Sequence, residues 1–327
     1  MCLYTFKSNG KTGFVIIHVD DLLITGDESV VTKLSENIGN KIILKDLGEV
    51  SEFLAIRVTK KDRNYYVDQT KYIEKIMEAA NLTDAKPSKM PMDTGYHKLN
   101  SSTEKADQDQ YQKLIGMLLY VAVNSRPDMA ASVSILSQRL SKPTKTDMNE
   151  VKRLIRYLKG TKDAKLQVSG CGNLKLEAYS DANWAEDRTD RKSNSGYICF
   201  LGGTISWSCR KQSCVSLSST EAEYAALAET CQEVIHLQKL CEDFDIESVP
   251  TNVRVDNQSC VKMVNNRKFS NRTKHIDTKF HFIRDIKEKG LVELEYCPTD
   301  ENIADMLTKP LGGVKIRKLR EMGHLSA

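Results

Sequence analysis

The spacing of apolar and polar positions divides the chain into two parts, with a change of texture near residue 171. In the first part, a strand-like apolar run over residues 13–19 precedes the helical pattern VVTKLSENIGNKI. Residues 52–82 follow as strand, charged turn, strand and helix. Residues 107–160 then carry three helical patterns separated by prolines. This part is therefore predicted to be strand-rich at first and helical later.

The second part predicts one mixed sheet with helices packed on it. LKLEAYSDANW, SGYICFLGG and TISWSCRKQ are strand-like, and Gly202-Gly203 is a hairpin turn between the second and third. A long helix over residues 219–243 follows, and strands NVRVDN and LVELEYCP then alternate with helices QSCVKMVNN, TKHIDTKFHFIRDIKEKG and ENIADMLTKPL. Three antiparallel strands followed by alternating helix and strand are typical of an α/β (α+β) domain.

Composition narrows the function classes without choosing one. The formal net charge of +4 permits a nucleic-acid partner but does not demand one. The nine cysteines lack CxxC spacing, which argues against a zinc site or a disulfide scaffold and predicts reduced thiols inside a cell. The first residues are too polar for a signal peptide, and no apolar run approaches the ~20 residues of a membrane helix. No membrane association is predicted.

Four acidic residues interrupt apolar strands or helices of the second part: Asp181, Glu223, Asp256 and Asp305. If they converge on one sheet edge they repel each other unless cations screen them, and oxygen-rich clusters are the natural ligands of Mg²⁺. For any single acid, the favoured alternative is a solvated or capping residue. Asp256 is then a helix N-cap and Asp305 a surface charge. The order strand-Asp, helix-Glu, strand-Asp, helix-Asp is far less expected by chance.

The second part contains a long stretch from AYSDANW to LSSTEAEYAALAE, followed in order by VRVDNQSCVKMVNN, NRTKHIDTKFHFIRD and ENIADMLTKPL. Together these segments resemble the ribonuclease H domain of copia-type LTR retrotransposons. The resemblance implies that the four acids bind two Mg²⁺ ions, with Mn²⁺ as a substitute ion. It implies hydrolysis of the RNA strand of an RNA–DNA hybrid, leaving 3′-hydroxyl and 5′-phosphate ends. Glu221 competes with Glu223 for the helix position, and the family pattern AEY favours Glu223.

One departure from the cellular enzymes is the loop CPTDENIAD, which lacks the histidine found there before the last aspartate. This bears on turnover rate more than on the type of reaction. His275 and His281 precede the loop and are interpreted as helix-packing residues or phosphate contacts.

Basic and polar residues near these acids are candidate substrate contacts. The run NNRKFSNRTKH, residues 265–275, either holds phosphates or is a solvated loop, and the two interpretations carry equal weight. A second basic group, Lys315, Arg317, Lys318 and Arg320, is interpreted as a solvated helix face. The predicted nucleic-acid contacts are Ser218, Ser219, Gln258, Arg267, Lys268, Arg272 and Lys274.

The segment HVDDLLITGD resembles the palm hairpin of copia-type reverse transcriptases, with His18 where tyrosine is expected. KDLGEVSEFLAIRVTKK continues the match, with Ala55 where glycine is usual, and the helical patterns match the region that connects to the nuclease. The resemblance makes Asp20 and Asp21 metal ligands of a polymerase. Because that chemistry needs a further aspartate and the fingers, which do not fit before residue 13, Asp20 and Asp21 are predicted to be vestigial.

The predicted organisation is a partial reverse-transcriptase palm and thumb (1–100), a helical connection (101–170), a ribonuclease H-like domain (171–311) and a tail helix (312–327). Because the palm is incomplete, Val15, Ile16 and Ile17 are expected to be partly exposed.

The leading hypothesis is a magnesium-dependent RNA–DNA hybrid ribonuclease from the carboxyl-terminal part of a retrotransposon Pol polyprotein. The alternative is a catalytically idle remnant that binds nucleic acid. An active polymerase requires the upstream reverse-transcriptase portion as a partner. The resemblance implies a cytoplasmic location, inside a virus-like particle if the element is active, with later nuclear entry. Oligomeric state is not predicted.

Overall fold

A computed structural model describes residues 2–8, 10–96, 104–169, 174–187, 190–265 and 277–326. The chain forms two compact units, Met1–Val58 and Thr59–Ala327. Each unit has its own apolar cluster.

The first unit is a three-stranded antiparallel sheet with a helix on it. Its elements are β1 (Cys2–Ser8), β2 (Lys11–His18), β3 (Asp21–Gly26), α1 (Glu28–Gly39) and the short β4 (Glu52–Phe53), which pairs with the start of β5 (Ile56–Lys61). The strand order is β1-β2-β3. Val15 is buried against Val30 and Leu34 of α1, so its predicted exposure is wrong, whereas Ile16 and Ile17 are half-buried as expected. α1 covers the face of the sheet that the sequence interpretation left open.

The second unit begins within β5 and contains the remaining elements. They are β6 (Asn64–Asp68), α2 (Thr70–Ala79), α3 (Gln108–Asn124), α4 (Ala130–Ser137), α5 (Lys145–Gly160), β7 (Lys165–Ser169), β8 (Leu176–Asn183), β9 (Asn194–Leu201), β10 (Thr204–Lys211), α6 (Ser219–Asp243), β11 (Thr251–Val255), α7 (Gln258–Asn265), α8 (Asp277–Glu288), β12 (Val292–Tyr296), a 3₁₀ helix (Ile303–Leu307), α9 (Gly313–Met322) and β13 (Leu325–Ser326).

Helices α2 to α5 form an apolar cluster of their own. Ile76, Tyr111, Leu118 and Leu154, one from each of α2 and α5 and two from α3, are buried within it. The start of α5 is set by a capping box between Thr144 and Asp147, which satisfies backbone donors that a helix start leaves unpaired. The three predicted helices between residues 107 and 160 are thus present.

The mixed sheet has the order β10-β9-β8-β11-β12. β8, β9 and β10 are antiparallel, whereas β11 runs parallel to both β8 and β12. Successive residues of a strand point to opposite faces, so β9 places Cys199 in the cluster with α6 and Ile198 in the cluster with the 3₁₀ helix and α9. The predicted mixed sheet, the turn at Gly202 and the long helix over 219–243 are observed.

Short pairings complete the second unit. β7 pairs antiparallel with β6 and with β13, where Leu325 lies opposite Leu166. β1, β7 and β13 were not predicted. The predicted tail helix corresponds to α9, and the predicted boundaries at 100, 170 and 311 stay predictions. Among the described helices, none has the length and apolarity to cross a membrane.

Candidate active site

Three of the four predicted acids meet at one edge of the mixed sheet. Asp181 lies near the end of β8, Asp256 directly follows β11, and Glu223 lies in the first turns of α6. Because β8 and β11 are parallel, their carboxyl ends share this edge. One carboxylate oxygen from each acid lies within 4.8 Å of those of the other two. Asp181 and Glu223 are buried, and Asp256 is half-buried.

Burial and mutual repulsion disfavour negative charge in this group. Burial raises the pKa of Asp181 to about 7, with Lys309 opposing the rise and Asp305 adding to it. Burial, followed by the charges of Asp181 and Asp256, raises the pKa of Glu223 to about 9. The buried Oε2 of Glu223 has no hydrogen-bond partner among the described residues. Three converging oxygen donors with unsatisfied charge fit a hard divalent cation such as Mg²⁺.

The fourth predicted acid, Asp305, lies beside this group but outside the set of three. It is fully buried in the 3₁₀ helix, so the surface-charge interpretation is wrong. Its Oδ1 pairs with the ammonium of Lys309, and its Oδ2 lies 2.5 Å from the ammonium of Lys315. The Lys309 ammonium is also 3.9 Å from Oδ2 of Asp181. Burial lowers the pKa of Lys309, but the charges of Asp181 and Asp305 outweigh it and raise that pKa well above its ordinary value.

Close packing against β9 positions this segment. Gly196 pairs with Asp181, and a Cβ at Gly196 would lie 2.7 Å from Cγ2 of Thr308. The missing side chain therefore lets Thr308 approach, and its hydroxyl donates to Oδ2 of Asp181. The Asn302 side chain donates to the Ser180 carbonyl at 2.9 Å, which ties the preceding loop to β8.

The structure also decides between the alternative interpretations of Glu221 and Asp256. Glu221 accepts a hydrogen bond from the Leu217 amide at 2.7 Å, so it belongs to the start of α6 and not to the acid group. Asn257 accepts from the Cys260 amide at 3.0 Å at the start of α7. The interpretation of Asp256 as the helix cap is therefore wrong.

The predicted substrate contacts are only partly within the described residues. Ser218 and Ser219 are exposed at the start of α6, and Gln258 is exposed at the start of α7. Arg267, Lys268, Arg272, Lys274 and His275 lie outside the described residues, and His281 is exposed on α8.

The second basic group is not uniformly a solvated face. The Lys315 ammonium reaches the buried carboxylate of Asp305, which corrects that prediction. Lys318 is exposed and donates to the Asp300 carbonyl at 2.9 Å.

Sequence reasoning missed Thr308, Lys309 and Trp184. The first two stand in LTKPL, one turn after Asp305, and that spacing was the available signal. Trp184 follows β8, and its indole N–H donates to the Ser216 carbonyl at 3.0 Å while 47% of the residue surface stays exposed. The Ser216 hydroxyl in turn donates to Gln212 at 2.8 Å, so the exposed ring is held in place.

The aspartates of the first unit are differently placed. Asp20 lies in the two-residue turn between β2 and β3, and Asp21 begins β3 opposite His18. Both are exposed. Among the described residues, three metal-binding side chains lie close together only in the group of Asp181, Glu223 and Asp256. The vestigial polymerase role of Asp20 and Asp21 stays a prediction.

Comparison with known proteins identifies related sequences. Residues 2–94 match the family described as reverse transcriptase (RNA-dependent DNA polymerase). The retrovirus-related Pol polyprotein from transposon TNT 1-94 of Nicotiana tabacum is 35% identical over 98% of this chain and 25% of its own length. The Pol polyprotein from transposon RE2 of Arabidopsis thaliana is 35% identical over 98% of this chain and 22% of its own length. The chain thus spans about a quarter of the length of these relatives.

Solved structures resemble the chain at low sequence identity. The foamy viral protease-reverse transcriptase dRH, in complex with double-stranded DNA, covers 87% of this chain with 46% of its own, at 11% identity and a TM-score of 0.50. LC11-RNase H1, isolated from compost by a metagenomic approach, covers 44% of this chain with 97% of its own, at 22% identity and a TM-score of 0.33. The predicted α/β fold class is confirmed, since the described residues form mixed and antiparallel sheets with helices packed on them.

Proposed function

Because the chain belongs to the copia-type family of retrotransposon Pol polyproteins, as its motifs predicted, we propose that its second unit is a ribonuclease. It cleaves the RNA strand of an RNA–DNA hybrid and depends on a divalent metal ion. The convergence of Asp181, Glu223 and Asp256, with oxygens within 4.8 Å of one another, carries this proposal.

The three carboxylates would hold the metal ion, and the burial of Asp181 and Glu223 leaves the group in need of a cation. A bound Mg²⁺ supplies Lewis-acid chemistry that activates water and stabilises a leaving oxygen at a phosphodiester. Thr308 fixes Oδ2 of Asp181 through its hydroxyl, which orients that carboxylate toward the group. We include Asp305 as the fourth acid that the family implies. The proposal also includes the two Mg²⁺ ions that the family implies, with Mn²⁺ as a substitute ion.

The hybrid is proposed to lie across the edge that carries the acids. Ser218, Ser219 and Gln258 are exposed beside Glu223 and Asp256 in the chain and present hydroxyl or amide groups to sugar or phosphate. Arg267, Lys268, Arg272 and Lys274 are proposed as phosphate contacts. Trp184, three residues after Asp181, offers a fixed aromatic face to a base or sugar.

The reverse-transcriptase part is proposed to be inactive in this chain alone. Asp20 and Asp21 are exposed at a hairpin tip, and no third acid joins them among the described residues. DNA synthesis would require the upstream portion of the polyprotein in trans. A cytoplasmic location within the particle of an active element, with later nuclear entry, is the setting that such a role implies.

The deciding experiment incubates the complete chain and Mg²⁺ with a hybrid labelled on its RNA strand, beside Asp181→Asn. We expect cleavage of the RNA strand, with 3′-hydroxyl and 5′-phosphate ends, that disappears in the variant and with chelator. Double-stranded DNA of the same sequence serves as the uncut control. Hybrid that stays intact with folded wild-type protein would reject the nuclease and leave a chain that at most binds nucleic acid.

A further inference from the structure

Two lysines lie within the acid site without being predicted to take part in it. Lys309 and Lys315 pair with different oxygens of Asp305, and the Lys309 ammonium lies 3.9 Å from Oδ2 of Asp181. Each lysine side chain is 30% exposed, whereas Asp305 is fully buried. A buried carboxylate without a cation is costly, so the two ammonium groups account for how Asp305 is accommodated.

The formal charges of the site leave room for one divalent ion. With all four carboxylates ionised, as metal binding requires, they carry −4, and the two ammonium groups carry +2, which leaves −2. The charge of a single Mg²⁺ balances this sum. Both lysines pair with Asp305, whereas among the three converging acids Lys309 lies near Oδ2 of Asp181 at the longer distance of 3.9 Å.

We propose that the Lys309 ammonium is a built-in cation that takes the place of a second divalent ion between Asp181 and Asp305. The chain without substrate then holds one divalent ion tightly, at Asp181, Glu223 and Asp256. A second ion enters only when Lys309 withdraws. This inference rests on the proposed function and makes Lys309 a positioning residue that sets the ion count.

The arrangement of the two lysines permits that exchange. Lys309 occupies Oδ1 of Asp305, and Lys315 occupies Oδ2, so withdrawal of Lys309 frees one oxygen while the other stays paired. Lys309 is partly exposed, which gives its long side chain a way out toward solvent. Lys315 also lies 3.7 Å from Asp300 and is thereby anchored outside the acid group.

The test counts Mn²⁺ ions bound to the complete chain, by electron paramagnetic resonance of the free ion, without nucleic acid. Wild type is expected to bind one ion tightly and a second much more weakly. Lys309→Met keeps the apolar stem and removes the charge, so its second ion should bind at least about tenfold more tightly. Lys309→Arg should behave as wild type, and Lys318→Met, which removes an ammonium that touches none of the four acids, is the matched control.

Two tight ions in wild type, or an unchanged second ion in Lys309→Met, would overturn the inference and leave the proposed nuclease intact. No Mn²⁺ binding by folded wild type would overturn both, and the hybrid-cleavage assay separates these cases. Circular dichroism melting shows whether each variant is folded. If Lys309→Met does not fold, Lys309→Gln serves as a second variant without the charge. The count of ions bound to wild type tests the inference without any variant.

Discussion

The hairpin that carries Asp20 and Asp21 and the sheet edge that carries Asp181 and Asp256 both place aspartates at the ends of apolar strands. At the hairpin, β2 turns back directly into β3, and both aspartates stay in solvent. At the sheet edge, two parallel strand ends and the start of α6 bring acids from distant parts of the chain together, and Asp181 is buried.

The difference shows that an acidic pair becomes a metal-site candidate through its surroundings. Exposed aspartates are stabilised by water and need no cation. Buried acids within 4.8 Å of one another need either protons or cations, and the raised pKa values of Asp181 and Glu223 reflect that need. Changes that act at one region and not the other therefore test the comparison.

The largest contrast is expected in hybrid cleavage. Glu223→Gln removes one of the converging charges and should lower the rate by roughly 100-fold or more, the scale of losing a group that stabilises charge in a transition state. Asp21→Asn should leave the rate unchanged, since Asp21 belongs to the exposed hairpin of the first unit. Single-turnover cleavage of labelled hybrid measures both, and a matching loss in Asp21→Asn would contradict the proposed division of roles.

Buried and exposed acids should also differ in how much they contribute to the free energy of unfolding. Asp128 is fully buried, lies 2.7 Å from the Arg126 guanidinium and accepts from the Tyr157 hydroxyl at 2.6 Å. Burial opposes its charge, but Arg126 outweighs this and lowers the pKa of Asp128. Asp128→Ala leaves Arg126 unpaired and should reduce the free energy of unfolding by about 3–5 kcal/mol.

The matched control for that change is Lys145→Ala, which breaks the exposed pair with Glu104 and should cost about 1 kcal/mol or less. Urea unfolding of the complete chain measures both variants. Equal losses would show that the buried pair is no more important to stability than an exposed one.

Packing at the site edge can be broken without touching a charge. Gly196→Ala would place a Cβ 2.7 Å from Cγ2 of Thr308 and 2.9 Å from Cβ of Leu307. The 3₁₀ helix must move, so we expect a loss of about 1–3 kcal/mol in unfolding free energy and slower hybrid cleavage. Gly116→Ala, where a Cβ meets nothing within 4 Å, should be neutral or stabilising by up to ~1 kcal/mol. A harmless Gly196→Ala would reject the positioning of Thr308 by β9.

The most gradual of the expected effects is the pH dependence of stability at the metal-free site, because it is spread over several pH units. The pKa of Glu223 is about 9 in the folded chain against 4.5 ordinarily, so between these values the folded state holds a proton that the unfolded state has lost. Stability therefore falls as pH rises from about 5 toward 9.

Chelator-treated wild type and Glu223→Gln are compared by urea unfolding across this range. The unfolding free energy of the variant should fall less steeply with pH, because Glu223 no longer titrates. Excess Mg²⁺ should stabilise wild type more at high pH than at low pH. A wild-type slope identical to that of the variant would show that Glu223 titrates normally.

Much of the second unit follows from local pattern. The helix over 219–243 and the turn at Gly202 are set by apolar spacing and by glycine, and both are observed. β13 has only two residues, too few for a pattern, and it is defined by its pairing with β7, which in turn pairs with β6. Val15 was expected to be partly exposed because the palm is incomplete, but α1, which follows it after a further strand, covers it.

By itself, the sequence determined the family and the order of most elements, and it named the four acids as candidates, because these depend on residue types and local spacing. Tertiary structure alone decided that Asp181, Glu223 and Asp256 converge while Asp305 pairs with Lys309 and Lys315. The reason is physical: which charges meet depends on parallel strand ends, and on the approach of Thr308 to Gly196, contacts between residues far apart in the chain.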